Sequence, residues 1–191
     1  MQRYDLIQKL IDQRWYKSYL EIWVSNGDTF TKIKCDRKLW VDPVAQVEWV
    51  VEKMSDDFFN SNTEMFDIVF IDWLHTFEQS LKDLINASRC LNEWGIIIMH
   101  DCLPWNEDMA SPVSNGGAWN WDVYKTVIRV YNEWFDIFVI DTDHWLWVFN
   151  NKKIREYVFI WAENYTYQNY MLKKDLYIVH IEDWLLRLWL K

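Results

Sequence analysis

The sequence predicts an α/β protein built on a mostly parallel sheet, and three observations carry that expectation. Short continuous apolar runs, of which Phe66–Asp72 (FDIVFID) is the clearest, read as strands buried on both faces. Amphipathic stretches of helical period separate them. Four of the runs close on an acid at or just beyond the end, at Asp42, Asp72, Asp101 and Asp141. In open parallel sheets ligands sit outside the carboxyl ends of the strands, so acids there carry more weight than acids elsewhere.

In chain order, Tyr19–Val24 is expected as the first strand, followed by a turn (Ser25–Thr29) that opens a short helix. Arg37–Asp42 is the second strand and Glu48–Met54 a short third. Phe66–Asp72 is the fourth, and Phe77–Cys90 a helix with Leu81, Leu84, Ile85 and Leu91 on one stripe. Gly95–His100 is the fifth strand, Trp121–Tyr131 a helix, Phe135–Asp141 a strand and Leu146–Asn150 a last strand. The tail, Tyr165–Leu190, reads as one or two helices.

Composition narrows the function. The chain has 191 residues, enough for one domain with a real core. A single domain over 1–191 is expected, with a core at about 15–150 and a tail at about 151–191. At 51% hydrophobic and 26% charged it is not disordered. It has no apolar run long enough to cross a membrane and no secretion signal at its start. With a net charge of -9 and no Lys/Arg cluster, it is a poor nucleic-acid binder. Cys35, Cys90 and Cys102 form no CxxC pair and read as reduced thiols of a cytoplasmic protein. The expected partner is a small molecule, with no nucleic acid and no membrane; homo-oligomerisation is compatible with the sequence.

Chemistry first shows in YLEIWVSNGDTF (Tyr19–Phe30), where an acid in a strand precedes a turn and a helix. Asp42 follows 21 residues after Glu21. That spacing suits a nucleotide-type cofactor, whose ribose hydroxyls need an acidic acceptor about 20 residues on. At this point the chain resembles the class I S-adenosylmethionine-dependent methyltransferases. It is closest to a small subgroup with the patterns YLEIGV.NG.TF, IGVDP, FDIIFIDGLHTYEQ and GGIIVIHDCLP. The matching stretches here are YLEIWVSNGDTF, LWVDP, FDIVFIDWLHTFEQ and WGIIIMHDCLP. Further on, NGGAWNWDVYK and DTDHWLWVF resemble NGGAWNGDVYK and DTDHGVGV. The resemblance spans about residues 15–150 with its motifs in order.

It implies a Rossmann-like three-layer sandwich, with a mostly parallel seven-stranded sheet whose last strand is antiparallel. It implies methyl transfer from S-adenosylmethionine to a small molecule, with the oxygen of a sugar or other hydroxylated metabolite as acceptor. The cofactor residues it implies are Glu21, Trp23, Ser25, Asn26, Gly27, Asp42, Asp56 and Asp72. The chemical centre it implies is Asp72, His75, His100 and Asp101. Two chemistries fit that centre. Asp72 and Asp101 suit a divalent cation such as Mg²⁺, although Cys102 beside them is a poor ligand for it. Alternatively, His75 or His100 is a general base. The long loop Leu103–Asn120 reads as a substrate cover, with Asn115, Trp119 and Asn120 as contacts; Asp143 and His144 belong to the same rim. Two other readings stand beside this one. One is a cofactor-free domain that kept the fold. The other is a nicotinamide-dependent oxidoreductase, disfavoured because the first turn lacks GxGxxG.

The departures from the pattern are of one kind. Trp stands where the subgroup has Gly at Trp23, Trp40, Trp73, Trp94, Trp121, Trp145 and Trp147. Trp15, Trp105, Trp134 and Trp161 also stand where Gly reads naturally; Trp119 matches a Trp of the pattern, and Trp184 and Trp189 are open. The chain has 15 Trp and 4 Gly, against about 13 Gly for an average chain of this length. Together the two residues make an ordinary glycine content. The expectation is that most of these Trp are UGA codons meant for Gly and translated as Trp.

Overall fold

The computed structural model describes residues 1–23, 26–44, 49–72, 76–114, 116–132, 137–141, 147–149, 166–176, 178–180 and 182–183. Val24, Ser25, Trp73, His75, Asn115, Trp134, Asp143, His144, Trp145, Trp161, Trp184 and Trp189 lie outside the described residues.

The first half alternates strand and helix. Helix α1 (Arg3–Arg14) leads into β1 (Ser18–Ile22), α2 (Asp28–Lys32), β2 (Arg37–Asp42), β3 (Val50–Glu52) and α3 (Ser55–Ser61). Next come β4 (Phe66–Ile71), α4 (Phe77–Arg89), β5 (Leu91–Met99) and α5 (Tyr124–Asn132). The described remainder holds β6 (Ile137–Ile140), β7 (Trp147–Phe149), α6 (Tyr167–Lys173), a single 3₁₀ turn and β8 (Ile178–Val179).

The strands form one sheet in the order β3-β2-β1-β4-β5-β7-β6-β8. Strands β1 to β5 pair in parallel, while β7 runs antiparallel to both β5 and β6. The expected antiparallel strand is therefore present. The two-residue β8, parallel to β6 at the edge, is an eighth strand where the tail reads as helix only. The expectation also omits α1, whose apolar stripe Leu6, Ile7, Leu10 and Ile11 is fully or almost fully buried.

Strand alternation builds two cores, because successive side chains leave opposite faces. Tyr19, Trp40, Ile68, Phe70, Ile96 and Ile98 face α1 and α2. Leu20, Ile22, Val41, Val69, Ile71, Ile97 and Met99 face α3, α4 and α5. This is the three-layer arrangement the sequence predicts.

Strand β5 begins at Leu91, four residues before the expected Gly95, because a register shift between Phe66 and Ile68 takes up the extra residues. Gly95 belongs to that irregularity: a Cβ there would meet the Asp67 carbonyl oxygen at 2.8 Å and Leu91 Cγ at 2.7 Å. At the same amino end, the Asp67 carboxylate accepts from the Lys17 and Ser18 N–H groups (2.7 and 2.9 Å), the Ser18 hydroxyl (2.9 Å) and the Asn92 amide (2.6 Å). One side chain thus ties together the starts of β1, β4 and β5. Partial burial raises its pKa, but these hydrogen bonds outweigh that and hold it below the usual carboxylate range.

Three turns carry strain. Trp15, Trp23 and Trp121 have φ of 58°, 63° and 41°. The left-handed region costs an L-residue about 1–2 kcal/mol and is normally left to Gly, or to Asn and Asp.

Candidate functional site

The parallel pairing continues one residue past several strands and aligns their carboxyl ends. Trp23 N–H donates to the Val41 carbonyl (2.8 Å), Asp72 N–H to Ile22 (3.2 Å) and His100 N–H to Ile71 (3.0 Å). Asp42, Trp23, Asp72 and His100 therefore stand side by side at the ends of β2, β1, β4 and β5. This edge is where a parallel sheet of this kind binds its ligand.

At the β4/β5 end, the buried His100 ring sits between two carboxylates. Its Nδ1 is 2.8 Å from Asp72 Oδ1 and 3.2 Å from Asp101 Oδ2. Burial lowers the pKa of His100, but the charges and hydrogen bonds of Asp72 and Asp101 prevail and hold it well above the ordinary histidine value. Asp101 takes a φ of 54°, one that Asp tolerates better than most residues. Its Oδ1 accepts from the amide of the fully buried Asn120 at 2.8 Å. Asn120, one of the cover-loop candidates, is thus brought into the cluster. Trp119 is held apart, its indole N–H donating to the Ser111 carbonyl at 2.7 Å.

The candidate ligand atoms of Asp72, His100 and Asp101 lie within 4.8 Å of one another. The set does not fit Mg²⁺. That ion takes hard oxygen ligands in near-ideal octahedral geometry, and here an imidazole nitrogen sits between the two carboxylates. Cys102 is fully buried with its thiol toward the Met99 and His100 carbonyls. Burial first, then Asp101 and Asp72, push its pKa well up, so it is an inert thiol.

At the β1/β2 end, Glu21 is fully buried and accepts a short hydrogen bond from the Tyr19 hydroxyl. Burial pushes its pKa up to about 8, against the opposing Tyr19 hydrogen bond, so its carboxyl is mostly protonated at neutral pH. Asp42 is buried and uses Oδ1 to accept from the Val44 N–H at 2.9 Å. Gly27, at φ 79°, caps the amino end of α2, and Asn26 closes the turn by accepting from the Asp28 N–H at 3.2 Å. Trp23 is 3% exposed and packs into the α3/α4 core. There Asp83 is pushed by burial to about 7, with hydrogen bonds from Ser55, Gln79 and Trp23 pulling the other way.

Two expected contributors lie elsewhere. Asp56 is engaged by Lys82 and Gln79 between α3 and α4. Asp141 pairs with His180 at the end of β6, two strands along the sheet from β5. Ser55 is the first residue of α3, and Met54 holds the cap position. His75 and Ser25 lie outside the described residues.

The sequence reading missed Arg3. At the start of α1, its Nε donates to the Thr29 hydroxyl at 2.9 Å and lies 3.8 Å from Asp72 Oδ2. A lone Arg opening a helix gives no sequence signal of that reach. The cavity beyond β5 was also out of view. It has a volume of about 270 Å³ and is lined by Leu103, Pro104, Trp105, Tyr170, Lys174 and Ile178. Its first three lining residues follow directly on Asp101 and Cys102.

Residues 19–102, the span from β1 to just past β5, match the model of a family described as a methyltransferase domain. Over that span, less than half of the chain, the sequence is similar to methyltransferase domains. The fold agrees with solved structures of low sequence identity. The cofactor-bound protein Rv0187 from MTB superposes with a TM-score of 0.61 at 16% identity, covering 81% of this chain and 80% of that one. An O-methyltransferase from Bacillus cereus, solved in complex with SAH, gives 0.56 at 12% identity over 78% and 80%. An O-methyltransferase family protein from Burkholderia thailandensis gives 0.54 at 11% over 78% and 55%. No curated protein matches the sequence significantly. The aligned acids Asp42, Asp72 and Asp101 fall inside the matched span. Among the described residues no helix is long and apolar enough to cross a membrane.

Proposed function

We propose that the chain transfers a methyl group from S-adenosylmethionine to a hydroxyl oxygen of a small molecule such as a sugar. The observation that carries this is the row of Asp42, Asp72 and His100 along the carboxyl edge of the parallel strands β2, β4 and β5, inside the segment matched as a methyltransferase domain. Asp42 is the acceptor for the ribose hydroxyls. Asn26 and Gly27 form the turn under the methionine end, Glu21 precedes it in β1 and Trp23 ends that strand; Ser25, outside the described residues, is assigned to the same end from the sequence alone. Asp72 lies between this turn and the β5 end; Asp56, tied to Lys82 and Gln79 between α3 and α4, is left out of the cofactor set.

S-adenosylmethionine supplies an activated methyl group on sulfonium sulfur, so the protein's task is alignment and removal of one proton. His100 is the base that takes the acceptor hydroxyl's proton. Asp72 and Asp101 orient its ring, and Asn120 holds Asp101 through its amide. Because the two carboxylates favour the charged ring, the free base is scarce at neutral pH. The rate should therefore climb as pH rises past neutrality. The cavity beside Leu103–Trp105, close in size to small-molecule clefts, supports a compact acceptor.

The test is S-adenosylhomocysteine formation across a panel of hydroxylated acceptors, with the pH profile measured on the best of them. Turnover that rises toward alkaline pH and is lost in His100→Gln supports the reading. Turnover that is independent of pH and of His100 contradicts the base assignment.

A further inference from the structure

We infer that Trp15, Trp23, Trp40 and Trp121 occupy glycine sites, and that the protein made in its native cell carries Gly there, from UGA codons read as Gly. Among the described residues, four non-glycines have positive φ: Trp15, Trp23, Trp121 and Asp101. Asp has a short polar side chain that bonds its own backbone and tolerates this region. Trp has no such means, yet it supplies the other three. Gly27 and Gly116 take the same region at φ 79° and 83°. In this fold, then, left-handed turns are made by Gly, by one Asp and by Trp.

Each site adds its own detail. Trp15 ends α1, and both its N–H and that of Tyr16 reach the Ile11 carbonyl. That double closure with a left-handed residue is the helix ending that Gly dominates. The Trp15 indole is 80% exposed, so packing does not repay the strain. Trp23 turns left-handed at the end of β1, where the chain leaves the sheet toward Gly27. Trp40 has an ordinary strand backbone but is misplaced in another way. Its indole N–H is buried without an acceptor, and its ring crowds Gly27 so closely that a Cβ there would lie 2.6 Å from Cη2. Buried indoles normally find a partner for that N–H. The excess of 15 Trp over 4 Gly gives the same answer without any coordinates.

The inference has a consequence for the proposed cofactor site. Trp23 and Trp40 flank Glu21 and Asp42 in neighbouring strands. With Gly at both positions, two indoles leave the cores on either face beside the carboxyl edge, and the backbone of the first turn becomes approachable by a ligand. This consequence rests on the methyltransferase reading; the glycine assignment does not.

Two measurements test the assignment. The first is the codon at each of the four positions together with peptide mass spectrometry of protein purified from its source cells. UGA codons and Gly-containing peptides are expected; UGG codons or Trp-containing peptides overturn the inference. The second is thermal unfolding of Trp15→Gly against the chain as written, since this indole packs on little. A higher melting temperature is expected, and a lower one counts against a glycine site. If the native peptides carry Gly and the protein still ignores S-adenosylhomocysteine, the methyltransferase reading fails and the glycine assignment stands.

Discussion

The two ends of the parallel sheet are built on opposite terms. At the amino end, Asp67 receives four hydrogen bonds from two segments, so that three strand starts are joined, and is held ionised. At the carboxyl end, Glu21 and Asp83 are buried and pushed up to about 8 and 7, and His100 is pressed between two acids. The first end spends its polar groups on holding strands together. The second buries titratable groups with displaced pKa values where a ligand would sit, a pattern common at functional sites. The left-handed Trp23 and the crowded Trp40 also stand at this second end.

Substitutions at the two ends should separate activity from stability. The largest effect is expected from His100→Gln, which should lower kcat by about 10²–10⁴-fold, the usual worth of a general base, while the protein stays folded by circular dichroism. Equal loss of structure and activity would make His100 a structural ion-pair residue. Next is Asp67→Ala, which should cost about 2 kcal/mol in urea unfolding by leaving several donors unpaired. Ligand binding by the folded fraction should be unchanged; weakened binding would blur the division between the ends.

A pH titration of stability should show the displaced pKa values directly. Glu21 and Asp83 have folded pKa values above the ordinary carboxylate range, so the folded state binds more protons than the unfolded state between that range and about pH 8. Stability should therefore fall as pH rises through that window. Glu21→Gln should flatten the slope; an unchanged slope would remove Glu21 from the account. The smallest effect is that of Trp15→Gly, a gain of about 1 kcal/mol, or about 2–4 °C in Tm for a chain of this size.

Much of this was legible in the sequence, for physical reasons. Phe66–Ile71 is apolar but for Asp67 and almost wholly buried, and Arg37–Asp42 carries the apolar triplet Leu39–Val41 that runs into its buried end. The strand-end acids were visible because the topology sends every parallel strand's carboxyl end to one edge. Helix α1 was not, because its apolar stripe is short and broken by charges. Nor was the His100 bridge. Neighbours in sequence show that His100 and Asp101 are close, but only the pairing of β4 with β5 brings Asp72 to the same ring. Arg3 reaches the site across 69 positions of chain, which no local pattern reports. The left-handed Trp turns were half visible: composition marked the excess, and backbone angles show which positions demand glycine.

We propose a cofactor site at the carboxyl edge of β1, β2 and β4, held from use by the Trp23 and Trp40 indoles packed in the cores beneath it. Isothermal titration with S-adenosylhomocysteine tests it most directly, on the chain as written and on one carrying Trp15→Gly, Trp23→Gly, Trp40→Gly and Trp121→Gly. Binding is expected from the glycine-bearing chain, abolished by adding Asp42→Ala, with little or none from the chain as written. A folded glycine-bearing chain that binds no S-adenosylhomocysteine, or one whose binding ignores Asp42, would contradict it.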